Sequence, residues 1–276
     1  MKKSALLFAA VAALTTLSVK ISAQHSHASH DKGVKLHVNP RWNECSFQLD
    51  PGLTQEAWRQ FTQEAGLVAY FRPLNSAQAL GRGHFELAAL SWRTAFDDTD
   101  AAWNDTFVHP DSTHWLKDGA RLPFPGLTAR VGITNKLDAS IYFTKNPQAN
   151  YGFWGAQLQY NLVHNEARQW SVAARAHLTS LFGPADLTLN TYGLEALVSK
   201  EWSVYSDWFT VSPYLGVSTY MAHAHETTEA VNLKDETRAG LQTMAGVAAR
   251  IYFVSLGLEY NVAQLQTVSF KVGVTF

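Results

Sequence analysis

Only one cysteine, Cys45, occurs in the 276 residues of this chain, so no internal disulfide can form. It lies far past the leader-like start, which excludes it as the lipidated first residue of a lipoprotein, and it reads as a half-buried bystander. Charge is also scarce. Asp, Glu, Lys and Arg together make up 16% of the residues and the net charge is −1. With no basic excess the chain lacks the electrostatic footprint of a nucleic-acid binder, and with no acidic run it lacks a signature of disorder. Past the first residues, no stretch approaches the eighteen or so consecutive apolar residues of a membrane-spanning helix. Nor does any long helical period interrupt residues 85–276.

The start of the chain is distinct. Met1-Lys2-Lys3 is followed by an apolar run from Ala5 to Val19, and then by Ile21-Ser22-Ala23 with small residues before a cleavage point. This layout predicts a secretory signal peptide over 1–23. Residues 24–84 are predicted to form a separate N-terminal extension. Its first part, QHSHASHD, holds His25, His27 and His30, weak candidates for a zinc or copper site because imidazole suits both metals. A flexible polar tail is the plainer reading, and no cofactor is expected. Further on, TQEAWRQFTQEA predicts a helix near 54–65, with Thr54 as N-cap and Gly66 past its end. Trp58, Phe61 and Ala65 share a stripe that must be buried, either as a plug in a lumen or against a rim. Residues 68–71, just before Arg72-Pro73, could add a strand fragment.

What is abundant is alternation, together with aromatics at 12%. Leu137, Ala139, Ile141 and Phe143 alternate with Asp138, Ser140, Tyr142 and Thr144. Trp154, Ala156, Leu158, Tyr160 and Leu162 alternate with Gly155, Gln157, Gln159 and Asn161. A period of two is the mark of a strand with one apolar and one polar face. It predicts ten strands, over 85–96, 127–134, 137–145, 151–163, 169–180, 187–200, 208–220, 241–252, 255–262 and 267–276. Counts of eight or twelve stay open. Most strands are near the length that crosses a bilayer when tilted. The connections 97–126 and 221–240 are long and polar, while several joints of the other parity are tight.

Polarity assigns the faces. The polar side carries Arg130, Asp138, Arg175, His177, Glu195, Arg250, Glu259 and Lys271, and the apolar side of most strands carries no charge. A soluble sandwich or barrel would put the apolar face inward. A transmembrane barrel puts it toward lipid and the polar residues in the lumen. These eight residues are therefore expected to form a lumen polar network. The expected fold is all-β, an antiparallel transmembrane β-barrel over 85–276 preceded by an extension with one short helix.

The last residues, SFKVGVTF, place Val268, Phe270, Val272, Val274 and Phe276 on one face of a final strand. This ending resembles the C-terminal signal of bacterial outer-membrane β-barrels. The resemblance implies that the last strand is read by the barrel-assembly machinery, with outer-membrane lipids as the other partner. It implies residence in the outer membrane of a Gram-negative bacterium, with the N-terminal extension and the C-terminus on the periplasmic side.

For activity the residues offer less. Asp97, Asp98, Asp100, His109, Asp111 and His114 in one long loop, and His223, His225 and Glu226 in another, could activate water at a rim. In architecture alone this resembles the omptin proteases, which are ten-strand barrels with Asp and His at the rim. No local motif matches, and ordinary solvated loops account for the same residues. Open aqueous channels need about 16–18 strands, so a smaller barrel with inward Tyr214 and Tyr220 should be closed or narrow. The reading is a non-enzymatic barrel acting as a narrow pore, small-solute transporter or structural protein. A rim-sited hydrolase and a surface-binding or adhesion protein are the alternatives.

Overall fold

A computed structural model describes residues 38–39, 44–45, 48–97, 99–104, 106–107, 121–145, 151–204 and 208–276. The signal-peptide assignment over 1–23 and the histidines at 25, 27 and 30 lie outside them. Val38–Asn39 pairs with Glu44–Cys45 in a small antiparallel ladder. Helix α1 spans Gln55–Ala69 and helix α2 spans Ala101–Asn104. The long strands are β1 (Phe85–Ala95), β2 (Arg121–Gly132), β3 (Leu137–Lys145), β4 (Gly152–Asn165), β5 (Trp170–Phe182), β6 (Leu187–Lys200), β7 (Phe209–Glu226), β8 (Glu236–Ile251), β9 (Val254–Val262) and β10 (Gln266–Thr275).

Each strand pairs antiparallel with the next, and β10 pairs back to β1 from Gln266↔Ala95 to Thr275↔Glu86, which closes a ten-strand barrel. Trp202–Ser203 adds a two-residue strand beside β7. Closure leaves no unpaired edge for lipid to meet. Connections after even-numbered strands are short, as at 133–136, 166–169 and 252–253, and they define a turn rim. Those after odd-numbered strands include 96–120 and 227–235 and define a loop rim.

The faces follow the alternation. Leu127, Ile141, Leu158, Leu194, Leu215, Leu258 and Phe270 are exposed on the outside. On the inside, polar residues such as Thr128, Ser140, Gln157, Thr179 and Ser269 are buried. Aromatics flank the apolar band. At the turn rim Phe85 stacks on Phe276 at 4.8 Å and Trp208 on Tyr252 at 5.0 Å; toward the loop rim Phe143 stacks on Phe182 at 5.2 Å. An apolar belt between aromatic girdles is the build of a transmembrane barrel.

Three sequence expectations need correction. β2 begins at Arg121 rather than 127, although Pro123 and Pro125 read as loop. Its first residues pair with β1 from Ala95↔Arg121 to Ser91↔Pro125, and among the described residues the pairing with β3 runs from Gly126↔Thr144. β7 and β8 run on to Glu226 and from Glu236, because their polar residues continue the ladder as a wetted hairpin to Ala224↔Glu236. Finally, residues 68–71 do not form a strand. The helix continues through Gly66 to Ala69, and Tyr70 and Phe71 lie buried inside the barrel, so no twelve-strand count arises among the described residues.

Leu258 sits at the middle of β9 with its side chain outward, whereas Val262 ends that strand. Leu258→Arg is expected to cost about 2–4 kcal/mol and Val262→Arg about 0–1 kcal/mol, as measured by denaturant unfolding in lipid vesicles.

Candidate functional site

The barrel's interior is occupied by the segment that runs from α1 to residue 80. Thr54 caps α1 by accepting a hydrogen bond from the Ala57 amide at 3.2 Å. The helix then descends from the loop rim into the lumen against β6, β7 and β8. Trp58, Phe61 and Ala65 are buried, as their stripe requires. Trp58 stacks on Phe61 at 5.6 Å. Phe61 meets Trp103 at 5.4 Å and Phe107 at 5.3 Å, edge on, beneath the segment that carries α2. Gly66 allows closest approach to the wall, for a Cβ there would lie 2.3 Å from the Ala222 Cβ.

A helix that ends inside a protein must find partners for its last carbonyls. Here the Arg72 Nη2 donates to the Leu67 carbonyl at 2.8 Å, the Trp92 Nε1 to Val68 at 3.2 Å, and the Tyr142 hydroxyl to Ala69 at 3.5 Å. Arg72 also donates to the Tyr70 carbonyl at 2.8 Å and to Asn261 Oδ1 at 3.0 Å, tying the helix end to β9. A cation is favourably placed at this end of the helix dipole.

Residues 70–80 run on without regular structure toward the turn rim, and wall side chains take the place of a ladder. The Asn75 and Ser76 carbonyls accept from Arg175, and the Ser76 and Gln78 carbonyls from Gln159 at 3.2 and 3.0 Å. The Ala77 carbonyl accepts from Asn161 Nδ2 at 2.8 Å, while the Ala77 amide donates to Ser199 Oγ at 3.0 Å. The Gln78 carbonyl accepts from Arg130 at 2.9 Å, and the Leu80 amide donates to Asp138 at 3.0 Å. Gly81 and Gly83, at φ 93° and 82°, then turn the chain into β1. That turn crosses β2 where a Cβ on Gly132 would fall 1.8 Å from the Gly81 carbonyl oxygen, so only glycine fits.

Of the predicted lumen residues, Arg130, Asp138, Arg175, His177, Glu195, Glu259 and Lys271 are buried inside the barrel. Arg130 pairs with Asp138, Arg175 with Glu195 at 3.1 Å, and Lys271 with Glu86 at 2.8 Å. Lys271 also donates to the Asn75 side chain, and Glu195 accepts from the Tyr70 hydroxyl at 2.8 Å. Glu259 accepts from Tyr214 at 2.7 Å and Asn261 at 3.0 Å. His177 contributes packing, with its ring 4.2 Å from that of Tyr70, and neither ring nitrogen has a hydrogen-bond partner among the described residues. Arg250 departs from the expectation. It lies at the turn-rim end of β8, exposed, in the lining of a cleft of about 100 Å³ at the lumen's mouth. Solvent reaches that mouth because the inner segment has already turned toward β1.

Several wall rings lie flat against glycines on the neighbouring strand, which leaves room in the bore for the inner segment. Tyr142 faces Gly155, Tyr220 faces Gly240 and Tyr214 faces Gly246, each glycine so close that a Cβ would meet the ring within 2.6 Å. The loop candidates among the described residues are not drawn together. Asp98, His109, Asp111 and His114 lie outside the described residues. His223 Nδ1 lies 2.9 Å from Thr237 Oγ1, and His225 Nδ1 2.6 Å from Asp235. Glu226 accepts from the Leu233 amide, Asp97 from Thr99, and Asp100 from Gln60. Among the described residues no three His, Cys, Asp or Glu side chains form a metal-binding group.

Of the residues expected to form a C-terminal signal, Val268, Phe270, Val272 and Phe276 point outward along β10 and its end, with Val274 half-buried on the same face. The described extension starts at the loop rim, where the Leu49 amide donates to Asp186 at 3.1 Å. Phe276 lies at the other, bonded to Phe85 through both backbone groups. Residues 49–55 thus lie at the rim opposite Phe276, because a segment threaded through the bore must begin at the far end.

Sequence reasoning did not single out Arg72, Asn75, Gln159, Asn161 and Ser199. The available signal was the run of inward amides Gln157, Gln159 and Asn161, which can donate to and accept from a backbone as well as from water.

The contacts of the inner segment set the expected cost of breaking them. Arg175→Met should cost about 3–5 kcal/mol by leaving buried partners unpaired, against about 0.5 kcal/mol or less for exposed Arg250→Met, both read by denaturant unfolding in vesicles. Gly66→Ala should gain about 1 kcal/mol of helix propensity but lose about 1–3 kcal/mol to overpacking. In the same assay the loss should be relieved by adding Ala222→Gly.

No protein-family model matches the sequence, and no curated protein is significantly similar to it. Solved structures with a similar barrel include the beta domain of the Bordetella autotransporter BrkA (11% identity, 71% of this chain and 99% of that one, TM-score 0.41). LpxR from Salmonella typhimurium (9%, 68% and 99%, TM-score 0.36) and the outer membrane protease OmpT from Escherichia coli (6%, 70% and 96%, TM-score 0.32) are further examples. At these identities and scores none of them assigns an activity to this chain.

Proposed function

We propose that this chain is an outer-membrane barrel kept closed by its own N-terminal segment, serving as a structural anchor for the loops and strap at its loop rim. The membrane part of this reading rests on the apolar exterior between aromatic girdles. Closure rests on one observation: residues 70–80 are bonded to β3, β4, β5, β6 and β10, so the bore is occupied along its length. In this reading the apolar side of β10 serves the assembly machinery and lipid. Small solutes would pass only if the segment left, exposing a polar wall.

Conductance separates closure from transport. The full chain in planar bilayers is expected to be silent, and a chain lacking residues 24–80 to show discrete openings. Steady conductance by the full chain would contradict closure.

A further inference from the structure

The path of the inner segment relates the two rims. At the loop rim the Asp50 amide donates to the Thr106 carbonyl at 3.0 Å. Gln55 there donates to the Lys234 carbonyl at 3.1 Å and accepts from the Lys234 amide at 2.8 Å. At the turn rim the Arg82 amide donates to Asn135 at 3.3 Å, and His84 Nδ1 lies 3.0 Å from the Phe276 carbonyl. Between these anchors are a helix of 15 residues, about 22 Å long at 1.5 Å per residue, and the extended run 70–80, which reaches at most about 3.5 Å per residue. Together they exceed the roughly 25 Å apolar band of such barrels. The segment therefore crosses the whole bore once.

Barrels of this kind carry short turns on the periplasmic side and long loops outside. The loop rim here holds connections 96–120 and 227–235 and the wetted β7–β8 hairpin. We infer that the chain crosses the membrane one further time through its own lumen, so that residues 48–56 lie at the cell-exterior rim while Phe276 faces the periplasm. This rests on the membrane reading above and reverses the side first expected for the extension. Pro51, Gly52, Thr54 and Glu56 are exposed there, beside the 227–235 loop. The exterior surface is then a composite of loops and an N-terminal strap.

The test uses the full chain with Cys45→Ser and one new cysteine, labelled in intact cells by a membrane-impermeant maleimide. Glu56→Cys and, independently, Pro51→Cys should label as fully as Glu229→Cys in the 227–235 loop. Lys136→Cys, in a turn-rim connection, should label only after lysis. Labelling of Glu229→Cys without either strap cysteine would overturn the threading, and labelling of Lys136→Cys in intact cells would overturn the orientation. If all four label only after lysis, the surface location itself falls, a failure distinct from that of the closed lumen.

Discussion

A peptide chain laid through a barrel has no ladder of its own, and its amides and carbonyls must still be satisfied. That constraint organises the interior. Arg130, Gln159, Asn161, Arg175 and Ser199 each spend a side-chain hydrogen bond on the backbone of residues 75–78. The helix above is held the same way, with Arg72, Trp92 and Tyr142 taking its last carbonyls. The lumen wall is polar less to hold water than to act as the second strand this segment lacks.

The same constraint explains how buried charge is tolerated. Arg130, Arg175 and Lys271 each have a carboxylate partner and a second acceptor on the inner segment. A buried ion pair alone recovers little of its desolvation cost. Here each pair also satisfies a buried polar group of residues 75–78, so removing one member would leave orphans on both the wall and the segment. Rings folded flat over Gly155, Gly240 and Gly246 complete the arrangement by clearing space for the chain between them.

Much of the barrel was legible in the sequence because strand alternation is a local signal, repeated in every strand from Phe85 to Thr275. Which face met lipid was legible too, since Asp138, Arg175, Glu195 and Lys271 each fall on the polar side of their own strand's alternation. The segment inside was not. Gly66 reads as a helix stop when only local propensity is weighed, yet the helix runs past it to Ala69, and the position is glycine because Ala222 leaves no room for a Cβ. Arg72-Pro73 reads as a breaker, yet Arg72 caps the helix from within a cavity that exists only once ten strands have closed. Pro123 and Pro125 likewise mask a strand whose pairing with β1 forms only in three dimensions. Partners separated by more than a hundred residues, such as Asn75 with Lys271, leave no periodic trace.

Amide hydrogen exchange on the full chain in lipid tests the central claim most directly. Residues 70–80 have no regular secondary structure, so protection there can come only from the wall. The account predicts that the Ala77 and Leu80 amides exchange as slowly as those of the neighbouring strands. Exchange of these amides at the rate of an exposed loop would show that the segment does not remain in the lumen.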